Sequence, residues 1–323
     1  MPPPPLPEAP ESTEVPIIQA HTLLTSFSSF LTISIHTILY YRSIYPRRTF
    51  LSARAFNIPV HQSRHPKVCS WVLDAVDAVT GQIAAGSVAR VAVVIHAPLT
   101  SSGTTPSKPP AAVPAAPASK AALSKVSPGA VLERWMFDVS GFPSWPGGAE
   151  AMRNFDPRGS SGKKHDEEGE DDAEEDAEED AEEDVEEDDD AVAAEEDEDN
   201  ELVEEDVINW ADVDEQLRGA LRRLAYAGEK MDALPEGCTF TVAVELKNQA
   251  QAPIGHPQPW IPSQPSLQAA VRQRKRGKDL GGAKTVPVRS VEAGPLFFEC
   301  WVEEGKAKEA LRSTAAVPLN KPS

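Results

Sequence analysis

Between Val15 and Tyr41, apolar side chains fall on Leu24, Phe27, Leu31, Ile35 and Ile38, at steps of three and four residues. That spacing predicts a helix over about 17–45, stopped at Pro46, whose ring excludes the helical hydrogen bond. A second helix is expected from Pro66, a residue suited to a first helical turn, with Val68, Trp71, Val72, Ala75, Val76 and Val79 on one side up to Gly81. A third covers 208–230, where Val213, Leu217, Ala220, Leu221 and Leu224 make the apolar stripe and Arg218, Arg222 and Arg223 surround it. The nearly continuous β-branched run 88–96 predicts a central strand. Residues 133–141 alternate Trp135, Phe137 and Val139, and residues 238–247 alternate Phe240, Val242, Val244 and Leu246, so both read as strands with one apolar face. A late strand at 295–304, reached through a long irregular segment, must pair with sheet laid down earlier.

Elsewhere the periodicity lapses, and composition takes over. Seven of the 30 prolines lie in the first 16 residues, which makes 1–15 a disordered leader. Residues 97–130 are rich in Pro, Ala, Ser and Thr and hold too few large apolar groups to offset the entropy of ordering, so they are expected to be a loop insertion. A second insertion, 150–206, contains the charge anomaly of the chain. The formal charge is −20, yet 29 of the 51 acids lie between Asp166 and Asp206 with no Lys or Arg among them. The remaining chain is mildly basic. Within the tract, AEED repeats over 173–188 stack like charges at i and i+4 and oppose helix formation. Residues 305–323 are expected to be a flexible tail.

The segment 15–41 has no charged residue and could span a membrane on length alone. Gln19, His21, Ser34, His36 and seven further Ser and Thr argue instead for a helix surrounded by protein. The N-terminal residues lack the basic and apolar regions of a secretory signal. Cys69, Cys238 and Cys300 are far apart and show no CxxC spacing, which argues against a disulfide framework or zinc ribbon and fits a reducing compartment.

Catalytic signatures are missing: GxSxG, HExxH, GxGxxG and the kinase set do not occur. The string 159–164, GSSGKK, has Pro157 where a phosphate loop needs its first glycine, and it abuts the acidic run. His61, His65 and Cys69 have metal-ligand spacing for one helix, but Pro66 interrupts any such helix, and local packing is expected. No metal or cofactor is expected. The basic run 272–278 reads as a nuclear import signal, a nucleic-acid contact or a solvated loop. The acidic tract suits either a solubilising spacer or the attraction of histone-like basic partners.

Six strings, TILYYRSIYP (37–46), FNIPVHQSRHP (56–66), VAVVI (91–95), EGCTFTVAV (236–244), PWI (259–261) and LFFECWVEE (296–304), occur in the order expected of a HORMA-domain protein. Together they resemble the HORMA accessory subunits of translesion DNA polymerase zeta. The resemblance implies an α/β (α+β) HORMA fold over 16–304, a mainly antiparallel sheet packed on three helices. Its C-terminal safety belt, 248–304, would close over a partner peptide.

The resemblance also implies sites. Trp71 matches an aromatic that packs on a proline-containing peptide of the polymerase zeta catalytic subunit, and Trp260 matches the belt aromatic that closes over it. Thr285, Glu299 and Trp301 match the surface that docks a deoxycytidyl-transferase scaffold polymerase, although relatives commonly carry an aliphatic residue at the first position and an amide at the second. Arg218 matches a third-helix arginine used in HORMA–HORMA pairing, in a homodimer or with a remodelling ATPase adaptor. The function implied is a nuclear, non-catalytic adaptor in DNA damage tolerance, touching DNA only indirectly and no membrane. Alternatives are a spindle-checkpoint HORMA protein and an acidic histone-binding chaperone.

Overall fold

Helix α1 (Ile17–Tyr41) is buried on more than one side: Leu23, Phe27, Phe30, Leu31, Ile35 and Leu39 are fully enclosed. The computed structural model describes residues 15–99, 126–154, 208–247, 250, 260–268 and 275–315. All lie in one unit, 1–155 with 207–323; the unit 156–206, which holds the acidic repeats, is outside the described residues. So are the expected leader up to residue 14, most of the 97–130 insertion and the last eight residues. By length and composition α1 could cross a membrane. It is instead covered by two other helices and strand β2, as its polar content predicts.

The helix ends four residues short of the expected limit. Ser43 adopts φ +53, and the hydrogen bonds Ser43 N–H to Tyr40 C=O (3.1 Å) and Ile44 N–H to Leu39 C=O (3.0 Å) form a Schellman cap with serine in glycine's usual place. Helix α2 (Pro66–Ala84) runs through Gly81 and stops at Gly86, φ +68, by the same pair of bonds to Ile83 and Gln82. Between the two helices lies an antiparallel hairpin, β1 (Phe50–Ala55) with β2 (Ile58–Ser63). Its turn residues Phe56 and Asn57 both have positive φ, the conformation of a two-residue hairpin turn whose twist matches its strands.

The main sheet comprises β3 (Val88–His96), β4 (Val131–Asp138), β5 (Thr239–Leu246), β6 (Lys284–Ala293) and β7 (Leu296–Glu304), antiparallel throughout in the order β5-β3-β4-β7-β6. Its core face meets α1, α2 and α4 (Trp210–Lys230), giving the mixed α/β architecture expected. Asn209 caps α4 by accepting from the Asp212 N–H at 3.2 Å. Phe27 meets Phe298 edge-on at 5.3 Å, and Phe30 meets Phe137 at 6.1 Å, which locks α1 to β4 and β7, two of the three inner strands. On the opposite face a small apolar cluster, Ala92, Val94, Val131 and Met136, is covered by Ala243, Leu267 and Trp301. At the mouth of the 97–130 insertion, the Ala97 N–H donates to Ala130 C=O (2.8 Å) and the Gly129 N–H to Ala97 C=O (3.2 Å).

Two short helices fall where irregular chain is expected. Helix α3 (Gly148–Asn154) opens the second insertion, and α5 (Lys306–Ala315) occupies the supposed tail. The latter is docked by buried charge. Arg42, turned inward by the cap that ends α1, grips the fully buried Glu133 with two hydrogen bonds of 2.8 and 3.0 Å and also donates to the carbonyls of Gly228 and Met231. Lys308 of α5 joins the same carboxylate, and Trp135 Nε1 donates to it at 3.2 Å.

Candidate functional site

An outermost strand presents a row of backbone N–H and C=O groups that no neighbour satisfies. Strand β5 has β3 on one side and no strand on the other among the described residues. Its Phe240, Val242 and Val244 point to the core face but are only half-buried, whereas the matching Val91, Val93 and Ile95 of β3 are fully buried. Trp71 of α2 lies half-buried against this strand, its ring edge-on to Phe240 at 5.0 Å. Tyr45 approaches the same ring at 6.4 Å. Leu73, on α2, is 57% exposed. The result is an apolar shelf beside a strand margin that no other strand pairs among the described residues.

The chain leaves the sheet at Leu246 on this margin and re-enters it at Lys284 on the opposite one, so 247–283 must pass from one side of the sheet to the other. Trp260, half-buried, packs against the main core, while Ile261 beside it stays exposed. Further on, a 3₁₀ turn at Pro265–Leu267 sets Leu267 on the outer-face cluster. The Gly277 N–H to Gln268 C=O (3.0 Å) and Asp279 N–H to Ser266 C=O (3.0 Å) bonds tie the returning chain to that turn. Trp71 and Trp260 thus share one core, and no ring contact joins them among the described residues. His96 stitches β3 to β5, one ring nitrogen 3.0 Å from Thr241 Oγ1 and the other 3.1 Å from Gly129 C=O, and burial holds its pKa below the ordinary imidazole value.

The three hairpin residues come together on the outer face. Glu299 stands opposite Ser290 and Asp138, Trp301 opposite Pro287 and Met136, and Thr285 opposite Glu303. Thr285 and Glu299 are exposed; Trp301 is half-buried and donates its Nε1–H to Glu303 at 3.0 Å. Sequence reasoning missed Arg90, whose guanidinium sits 6.0 Å from the Trp301 ring and is held by Asp138 (2.7 Å) and Glu245 (3.0 Å). Its signal was the outward position of Arg90 in a strand otherwise continuous in apolar residues. Burial opposes the charge of Asp138, but Ser140 and Arg90 outweigh it and leave the carboxyl below its ordinary pKa.

Arg218 lies elsewhere, half-buried on α4, without an ion-pair partner among the described residues. One turn on, Arg222 borders a cleft of about 320 Å³ between α1, β2 and α4, with Tyr41, Pro59, His61, Tyr226 and Glu229 around it. His61, one of the three residues at metal-ligand spacing, stacks on Tyr40 at 3.6 Å, Cys69 donates its thiol hydrogen to Ser63 C=O, and His65 is exposed. Burial pushes the Cys238 thiol up to about 11 and the Cys300 thiol higher still, which leaves neither a ready nucleophile.

No protein-family model matches the chain. It is 24% identical over 278 residues to the DNA polymerase zeta processivity subunit of Schizosaccharomyces pombe, covering 86% of this chain and 91% of that protein. It is also 35% identical to the mitotic spindle assembly checkpoint protein MAD2B of Rattus norvegicus and of Homo sapiens, over 68 and 66 residues, about a third of those proteins' length. Among solved structures, a chain of the mitotic checkpoint complex has a TM-score of 0.48 at 16% identity, covering 87% of this chain and 98% of that one. Caenorhabditis elegans HTP-2 bound to the HIM-3 closure motif has a TM-score of 0.42 at 9% identity, covering 88% and 90%.

Proposed function

We propose that this chain, whose kinship with the polymerase zeta processivity subunit places it among HORMA proteins, is a non-catalytic adaptor that captures a peptide of a polymerase catalytic subunit. The observation that carries this reading is the margin of β5, which no strand pairs among the described residues, with Trp71 and Phe240 beside it. A partner segment laid along β5 satisfies the open backbone groups by strand addition, and its side chains cover the half-buried Phe240, Val242 and Val244. A proline in the partner suits the aromatic shelf, because flat rings bury large apolar area with few rotors to order. The crossing segment, anchored by Trp260, acts as the belt over the bound strand.

The outer-face group Thr285, Glu299 and Trp301 serves as a second docking surface, for a deoxycytidyl-transferase scaffold polymerase. Arg218 serves HORMA–HORMA pairing or a remodelling ATPase adaptor. The adaptor then works in the nucleus, bridging two polymerases during damage tolerance and reaching DNA through them. The test is capture of a proline-containing peptide from the catalytic subunit by wild type, Trp71→Ala and Trp260→Ala chains; equal binding by all three would refute the site. The partial identity to MAD2B supports a second reading, and preferential capture of spindle-checkpoint ligands over polymerase peptides would favour it.

A further inference from the structure

We propose that helix α5 is a latch that holds the β6–β7 hairpin on β4 and so sets how readily the belt opens; its consequence for a partner rests on the adaptor reading, whereas the latch itself does not. Strand β7 passes into α5 through the single residue Gly305, whose N–H donates to Leu132 C=O at 2.8 Å. A side chain there would place a Cβ 2.3 Å from Val131 C=O, so this turn is pressed onto β4. Lys308 then enters the interior between Glu133 and Glu304, and all three are at most 3% exposed. Arg312 pairs with Glu304 at 2.6 Å and also with Asp232, just beyond the end of α4. Three cations, Arg42, Lys308 and Arg312, face three carboxylates, Glu133, Glu304 and Asp232.

Peeling β7 from β4 therefore cannot proceed by breaking strand pairing alone. It must draw Lys308 and Glu304 out of the protein together and leave the buried Glu133 with Arg42 as its one remaining counter-charge in a low-dielectric interior, which is unfavourable. The α5 contacts lie at the Glu133↔Glu304 end of the β4–β7 pairing, the end from which a hairpin followed by a free tail would fray. The latch thus guards the seam that any exchange of a captured strand has to open.

Hydrogen exchange on the full chain without partner tests this, comparing wild type with Lys308→Met, Arg312→Ala and a chain ending at Gly305. The expected result is exchange at least tenfold faster in β6 and β7 for Lys308→Met and the shortened chain, and a smaller rise in the same strands for the half-exposed Arg312→Ala, with α1, β3 and β5 unchanged. Acceleration spread evenly over the fold, or none in β6 and β7, would overturn the proposal; should Lys308→Met and the shortened chain not fold, Arg312→Ala alone decides it. With captured polymerase peptide, dissociation from Lys308→Met is expected to be tenfold faster. If wild type captures no peptide, the adaptor reading falls while the exchange pattern still judges the latch.

Discussion

Trp71 meets Phe240 edge-on at 5.0 Å, and through that pair helix α2 supports the outermost strand from its apolar side. Replacing Trp71 with alanine removes half of the shelf on which a partner strand would rest but leaves the sheet pairing untouched. Isothermal titration with the proline-containing peptide is expected to show a loss of affinity of about tenfold or more, ~1.4–2 kcal/mol. Glu229→Gln, on α4, should leave that affinity unchanged.

Arg42 grips the fully buried Glu133, and its loss would leave that carboxylate with Lys308 as its one counter-charge among the described residues. For Arg42→Met, urea denaturation followed by tryptophan fluorescence should report a destabilisation of ~3–5 kcal/mol, the usual cost of removing one partner from a buried ion pair. Combining it with Glu133→Met is expected to cost less than the sum of the two single changes, because the two side chains are direct partners and the second change removes the charge that the first deprived of its bidentate cation.

The cap of α1 yields a change in the opposite direction. Ser43 holds φ +53, a conformation that glycine adopts without strain. Ser43→Gly should therefore leave stability unchanged or raise it by up to ~1 kcal/mol, since the relief of strain exceeds the added freedom of the unfolded chain. Thermal denaturation distinguishes this from the loss that glycine would cause at a helical position.

Burial holds the pKa values of His36 and His96 below the ordinary imidazole value of 6.5. The unfolded chain accordingly binds more protons than the folded one once pH drops to that region, so stability is full above it and declines as pH falls through it. Each residue contributes a slope of at most ~1.4 kcal/mol per pH unit. Denaturation midpoints at pH 7.5, 6.5 and 5.5 should fall in that order, and His96→Gln should flatten the trend even if it lowers the plateau.

Much of the fold was legible because its longest elements carry unmixed periods. The stripe from Leu24 to Ile38, the β-branched run of β3 and the alternation of β5 each point to one structure. What escaped notice depended on local exceptions or on distant partners. Ser43 ends a helix where glycine would be the expected signal, and Phe56 with Asn57 makes a turn that usually carries Asn-Gly. Helix α5 was invisible for another reason: its apolar content is slight, and it is held by Glu133, 175 residues away along the chain, and by Glu304. The same limit applies to the site. The grouping of Thr285, Glu299 and Trp301 follows from strand register, but the clasp of Arg90 over Trp301 needs three strands to be laid side by side before it can be read.

The paired hydrogen bonds at Ala97, Gly129 and Ala130 have an evolutionary corollary. Strands β3 and β4 are joined at that neck before the intervening polypeptide begins, so its entry and exit are already side by side, whatever their separation in sequence. Doubling or halving the length between them alters closure entropy by only ~0.6 kcal/mol. The neck behaves as a port through which extra sequence can be gained or trimmed while the scaffold beneath keeps its shape.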